Sequence, residues 1–109
     1  MRQSYNLRES ADFQQVFKQN ESLRDRNWLI LYSSNELEFA RLGLAVSKKN
    51  VKKASQRNRI KRIIRETFRK KKATIKPSDI VVLARHGISE KSNRELIESI
   101  NSLWYRIES

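Results

Sequence analysis

The 109-residue chain contains no cysteine. A disulfide framework, a thiolate zinc site and a cysteine nucleophile are therefore excluded. Two glycines, Gly43 and Gly87, are too few and too far apart for a glycine-rich phosphate loop. The single histidine, His86, has no obvious partners, whereas a metal site needs several ligands and a triad needs a nucleophile with an oriented base. His86 fits a loop or nucleic-acid contact better than catalysis. Nor do the acidic side chains crowd in sequence, since Glu9, Asp12, Asp25, Glu36, Glu38 and Asp79 are scattered, unlike the ligands of a two-metal nuclease. Long hydrophobic runs are missing too. The stretch Trp28 to Tyr32 is far short of the ~20 apolar residues that span a bilayer, and Met1 to Tyr5 lacks the apolar run of a signal peptide. The expectation is a cytoplasmic protein without a membrane partner, with no catalytic and no metal-binding residue of its own.

What the chain has in excess is positive charge, 24 Lys plus Arg against 12 Asp plus Glu. The excess is localised. Residues 41–72 hold 14 basic residues and one acid, Glu66, while the remaining 77 residues are nearly neutral. A one-signed field on one segment implies a polyanionic partner rather than a general solubility device. With 38% hydrophobic residues in periodic blocks, one proline and no repeats or linkers, residues 1–109 read as a single globular domain with one core.

Within the basic segment the period changes near Asn50. Leu42, Leu44 and Val46 alternate as in a strand buried on one face. From Ser55 onward Ile60, Ile63, Ile64, Thr67 and Phe68 follow helical spacing. On that helix Arg57, Lys61, Arg65 and Arg69 recur every four residues, with Asn58 and Arg62 alongside. Like charges at that spacing each cost a few tenths of a kcal/mol. A merely solvated face would interleave more acids, so phosphate binding is the better reading.

Elsewhere, Ser10 is a plausible N-cap for a helix carrying Phe13, Val16 and Phe17, with Asp12 in its first turn. Trp28 to Tyr32 reads as a strand joined through Ser33 to Glu36, in hairpin fashion, to the strand that ends near Ser47. Pro77 precedes a strand over 79–84, and Gly87 marks a turn. Ser92 and Glu95 form a capping box for a last helix whose core face is Leu96, Ile97, Ile100, Leu103, Trp104 and Ile107. Helices packed on a small sheet, an α/β sandwich, is the natural architecture.

The segment Gln56-Arg57-Asn58-Arg59-Ile60-Lys61-Arg62, preceded by Val46-Ser47-Lys48-Lys49, resembles the bacterial ribonuclease P protein family. That family's signature is an Arg-Asn-Arg motif opening a basic helix after a strand that ends in Ser/Ala-Lys-Lys. The likeness extends to Asp12-Phe13, Val16-Phe17, Arg41 to Leu44, the strand before His86 and Leu103-Trp104. It implies an α+β two-layer sandwich, with a small, mostly antiparallel sheet, three helices and a left-handed βαβ crossover around the basic helix. Sequence alone would have favoured the right-handed default.

The resemblance also implies a function. The chain would be the RNA-binding subunit of a ribonucleoprotein endonuclease that removes the 5′ leader from precursor tRNA, the chemistry being performed by a catalytic RNA and its bound Mg²⁺. Carried over residue by residue, it assigns Arg57, Asn58, Arg59, Lys61, Arg62 and Arg65 to contact with the catalytic RNA. It assigns Phe13, Phe17, Tyr32, Ser47, Lys48 and Lys49 to a cleft for the single-stranded leader. Spacing alone would read Phe13 and Phe17 as core. Composition alone would equally allow a purely structural RNA-binding protein.

Overall fold

A computed structural model describes residues 10–18 and 20–108, with side chains from Phe13 onward. In chain order it contains α1 (Ser10–Lys18), β1 (Glu21–Arg24), β2 (Trp28–Ser34), β3 (Arg41–Ala45), α2 (Ala54–Lys71), β4 (Ser78–Ala84), a 3₁₀ turn (Ile88–Glu90) and α3 (Asn93–Arg106). The predicted helix and strand periods are all present, and β1 and the 3₁₀ turn are additions. Helix α3 starts as its capping box requires, with the Ser92 side chain accepting from the Glu95 amide. Helix α1 already includes Ser10, and the side chains expected to cap it, Ser10 and Asp12, lie outside the described ones. Gly87 has φ +87°, a backbone state that only glycine enters without strain, and it turns the chain from β4 into the 3₁₀ turn.

The four strands lie in the order β1-β2-β4-β3. This overturns the expected hairpin between β2 and β3. The hairpin is β1–β2, and β4 separates β2 from β3, pairing antiparallel with β2 from Trp28↔Ala84 to Ser34↔Ser78 and parallel with β3 from Arg41↔Asp79 to Ala45↔Leu83. The cause is burial. β4 is the one strand apolar on both faces, so it takes a central place with neighbours on each side. The β2–β3 connection then crosses the start of β4, where the Asp79 carboxylate accepts from Arg41 Nε at 2.8 Å, Arg41 Nη2 at 2.7 Å and Asn35 Nδ2 at 2.9 Å.

Two clusters, not one core, result. The larger lies between one sheet face and helices α2 and α3, and includes Trp28, Ile30, Leu42, Ile80 and Val82 against Ile60, Ile64, Leu96, Ile100 and Trp104. On the other face α1 sets Val16 against Val81, with Phe13, Leu31, Ala45 and Leu83 partly buried around them. Two residues that spacing alone reads as core are missing from both, since Phe17 is 49% and Ile97 39% exposed.

Where α2 meets α3 the buried indole of Trp104 donates to Thr67 Oγ1 at 2.9 Å, and its ring lies 5.7 Å from that of Phe68. The Thr67 hydroxyl sits at hydrogen-bonding distance from the Ile63 and Ile64 carbonyls of its own helix as well. Thr67→Val keeps the shape and orphans the indole N–H. It should lower stability by about 1–3 kcal/mol, read as a shifted urea midpoint with an unchanged slope.

Candidate nucleic-acid interface

Helix α2 buries Ile60, Ile63, Ile64, Thr67 and Phe68 and turns most of its cations away from them. The four-residue spacing of Arg57, Lys61, Arg65 and Arg69 does not run parallel to the helix axis. Each step of four overshoots a full turn by about 40°, so the row winds from the flank of the helix to its outermost line. Arg65 and Arg69 reach that line, where exposed Asn58 and Arg62 join them. Helix α2 has no acid in its first turn, and Arg69, Lys70 and Lys71 crowd its last.

Three other cations of the segment are held within the fold. Arg57 donates through Nη1 to the carbonyls of Val51 at 3.0 Å and Lys52 at 2.8 Å, closing the loop that leads into its own helix. Arg59 donates to Gln56 Oε1, Asn93 Oδ1 and the carbonyls of Ser89 and Lys91, so it ties α2 to the start of α3. Arg41 is neutralised by Asp79. Sequence reasoning counted these three as part of one external field, because charge is visible in a sequence whereas hydrogen-bond partners, thirty or more residues away for Arg41 and Arg59, are not.

Lys61, one step from Arg62, faces a different surface. It lines a cleft of about 610 Å³ at the end of β3 and β4, walled by Leu29, Ala45 and Leu83 from the α1 face of the sheet and by Leu44, Val46 and Ala84 from the face that α2 covers. The polar lining is Arg26, Ser47, Asn50, Lys61, Arg85 and His86, with no acidic side chain. Ala45 and Leu83 also pack against the α1 cluster, to which Phe13 belongs. Phe17, two turns into α1, is 49% exposed. The helix thus spends Val16 on the core, half-covers Phe13 and leaves Phe17 bare.

Arg26 and Arg85 were not singled out from the sequence. Each is placed by a local network. Asp25 Oδ1 accepts from the amides of Asn27 at 2.8 Å and Trp28 at 2.9 Å, Ser99 Oγ donates to Asp25 Oδ2 at 2.8 Å, and Asn27 Nδ2 donates to Ser99 Oγ at 3.2 Å. This fixes the β1–β2 turn that carries Arg26. Arg85 is joined to the same turn through its amide to Asn27 O and its Nη1 to Asp25 O. Asn50, whose Nδ2 donates to Ala84 O at 2.9 Å, holds the turn after β3 to the end of β4. An Asp-x-Asn tripeptide between two strands was the available signal for the first network.

Of the six leader-cleft candidates, Ser47 lines the cleft, Phe13 is partly buried in the α1 cluster and Phe17, one helical turn further on, is half-exposed; neither phenylalanine is among the residues that line the cleft. Lys48 is exposed in the turn beyond β3, and Lys49 lines a neighbouring basic hollow with Lys52, Lys53 and His86. Tyr32 does not join them. Strand alternation sends it to the opposite face with Trp28 and Ile30, while its neighbour Leu31 packs near α1. The Tyr32 hydroxyl donates to Glu21 Oε2 at 2.9 Å, and partial burial, reinforced by that bond and the Glu21 charge, raises its pKa. Among the described residues no group of three or more Asp, Glu, His or Cys gathers to hold a metal ion, and no helix is long and apolar enough to cross a membrane.

Comparison with known proteins agrees with this arrangement. The sequence pattern of the family described as Ribonuclease P matches residues 1–108. The ribonuclease P protein component of Photorhabdus laumondii is 46% identical over 94 residues, 86% of this chain and 79% of that protein. The protein of the same name from Coxiella burnetii is 38% identical over 104 residues, 95% and 86% of the two chains. Among solved structures, the Staphylococcus aureus RNase P protein superposes with a TM-score of 0.87 at 34% identity over 96% of this chain and 95% of that one. The Thermotoga maritima RNase P protein does so with a TM-score of 0.84 at 36% identity over 99% and 100%. The chain belongs to the ribonuclease P protein component family, the protein subunit of the endoribonuclease that processes the 5′ end of precursor tRNA.

Proposed function

We propose that the two surfaces divide the work of this subunit in the cytoplasm. The outer line of α2, with Asn58, Arg62, Arg65 and Arg69, binds the phosphates of the catalytic RNA. The cleft holds the single-stranded 5′ leader of precursor tRNA. The observation that carries this reading is the sorting of α2 itself, in which Arg62 faces solvent and the adjacent Lys61 lines an acid-free cleft.

Single strands are held by aromatic platforms next to basic grooves, with ~1–3 kcal/mol per stacked base and little sequence preference. Such tolerance suits leaders that differ from one precursor to the next. Phe17, with Phe13 behind it, is the platform, and Arg26, Lys61, Arg85 and His86 are the groove, with Ser47 on its rim and Lys48 and Lys49 beyond. Tyr32 has no part in it. Arg57 and Arg59 act by holding α2 in place, and their contribution to RNA binding is indirect.

The phosphodiester is hydrolysed by the RNA, whose bound Mg²⁺ supplies an activated water and stabilises developing charge. This chain offers no ligand cluster for that metal among its described residues. What it supplies is affinity and position for the substrate.

Reconstitution tests the whole reading. Precursor tRNA incubated with the protein alone should remain intact, and adding the protein to a bacterial ribonuclease P RNA at low Mg²⁺ should raise the cleavage rate. Cleavage by the protein alone would move the chemistry into this chain.

Phe17→Ala should weaken binding of precursor tRNA to the holoenzyme by roughly 5- to 100-fold, the range of one lost stacking contact, and leave mature tRNA nearly unaffected. Equal losses for both would remove Phe17 from the leader site.

The sorting of cations makes a third outcome specific. Arg62→Ala should reduce the slope of log affinity for the catalytic RNA against log salt by about 0.7 to 0.9. Arg59→Ala should instead lower the melting temperature and keep the slope. A slope loss for Arg59→Ala equal to that of Arg62→Ala would place its guanidinium on the RNA.

A further inference from the structure

Ile97 falls at a core position of the α3 repeat and yet is 39% exposed. It borders a pocket between α2 and α3, of about 260 Å³, on the opposite side of α2 from the cleft. At ~30 Å³ per water molecule this is room for roughly eight, less than a drug-sized ligand occupies. Ile63 and Ile97 are its apolar surfaces, and Glu66, Asn93 and Asn101 bring polar groups to it. Arg62, already placed on the RNA face, forms part of its lining, as does Lys70 one helical step beyond Glu66.

We infer that this pocket receives a single unstacked base of the catalytic RNA, one that carries an exocyclic amino group. The inference rests on the reading of α2 as the RNA-binding helix and extends it to α3. Phosphates outside the pocket meet Arg62 and Lys70, which matches the charge of an RNA strand crossing this edge of α2. Inside, the Glu66 carboxylate repels a phosphate but accepts from the amino group of adenine, cytosine or guanine. The Asn93 carbonyl oxygen is taken by Arg59 at 2.5 Å, which fixes that amide and leaves its N–H groups as donors. Asn101 adds a second amide. An apolar slot with hydrogen-bonding groups at its edges is how proteins read splayed-out RNA bases.

This gives Arg59 a second consequence, since the side chain that ties α2 to α3 also sets one wall of the pocket. It also accounts for the one residue of the α3 apolar stripe that the core does not cover.

Ile97→Trp fills the pocket from an exposed position, and Asn101→Ala removes an edge contact without adding bulk. Binding of a bacterial ribonuclease P RNA is measured across a salt series for both variants and for Arg62→Ala, with melting curves to confirm folding. Dimethyl sulfate probing of the complexes reports unpaired adenine and cytosine. Ile97→Trp should weaken binding about tenfold or more with the salt slope unchanged, and should expose one base that the unaltered protein protects. Asn101→Ala should weaken it severalfold in the same manner, and it provides the readout if Ile97→Trp does not fold.

Affinities within twofold of the unaltered protein for both variants, while Arg62→Ala still lowers the slope, would overturn the base pocket and leave the α2 reading intact. No change for Arg62→Ala would overturn the α2 reading and the pocket together.

Discussion

Strand β4 is the constraint on which the rest depends. It is buried along nearly its whole length and on both faces, so it must have a strand on each side and cover above and below. β2 supplies one side antiparallel. The other is β3, which precedes β4 in the chain and lies parallel to it, and parallel neighbours need a crossover across one sheet face. That crossover is α2. Its apolar stripe is the cover for β4, and a helix whose inner face is committed to the core can present only its polar side to solvent. The position of the cationic surface proposed to bind RNA is thus a result of where the most apolar strand has to sit.

The same placement creates the cleft. Among the described residues, cover on the second face comes from α1, nine residues long, in which Val16 is the fully buried apolar residue. A longer or more apolar helix would have sealed the sheet. The uncovered part lies toward Ala45 and Ala84, where β3 and β4 end side by side, and where parallel strands leave loops of the same end converging. Ser47, Asn50, Arg85 and His86 come from those loops, and Arg26 reaches them from the β1–β2 turn.

Much of this was legible in the sequence, for physical reasons that differ between elements. Period and capping are local, so α2, α3 and the strand segments could be read from Ile60 to Phe68, from Ser92 and Glu95, and from the run over 79–84. Strand order is not local. The polar stretch after Tyr32 looks like a hairpin turn, and only the two-sided burial of β4, together with the pairing of Asp79 with Arg41, shows why the chain passes β4 before reaching β3. The family likeness grouped Tyr32 with the α1 phenylalanines, whereas Tyr32 lies on the sheet face opposite α1 and its neighbour Leu31 packs near that helix, because in a strand one residue is the difference between faces. Arg26 and Arg85 were missed because their meeting depends on hydrogen bonds that Arg85 donates to the Asp25 and Asn27 carbonyls, about sixty residues away.

Charge shows most clearly what a sequence count leaves out. Arg41, Arg57 and Arg59 contribute to the excess of residues 41–72, and each is committed to partners inside the protein. They make the remaining field more useful, because a cation on a moving helix could not set the register of a bound RNA. Helix α2 is held at its start by Arg57 and Arg59, and the segment after it is held by Lys71 with Glu108 and by the pairing of Ile75 with Glu108. Along that fixed rod, Lys61 and Arg62 are ~100° apart and belong to two surfaces. An RNA docked on Arg62 and a strand lying against Lys61 are therefore related through one turn of one helix, with no loop or hinge between them. On the reading proposed above, the protein subunit sets where a substrate strand lies relative to a catalytic RNA, and the fixed position of α2 is the property that lets it do so.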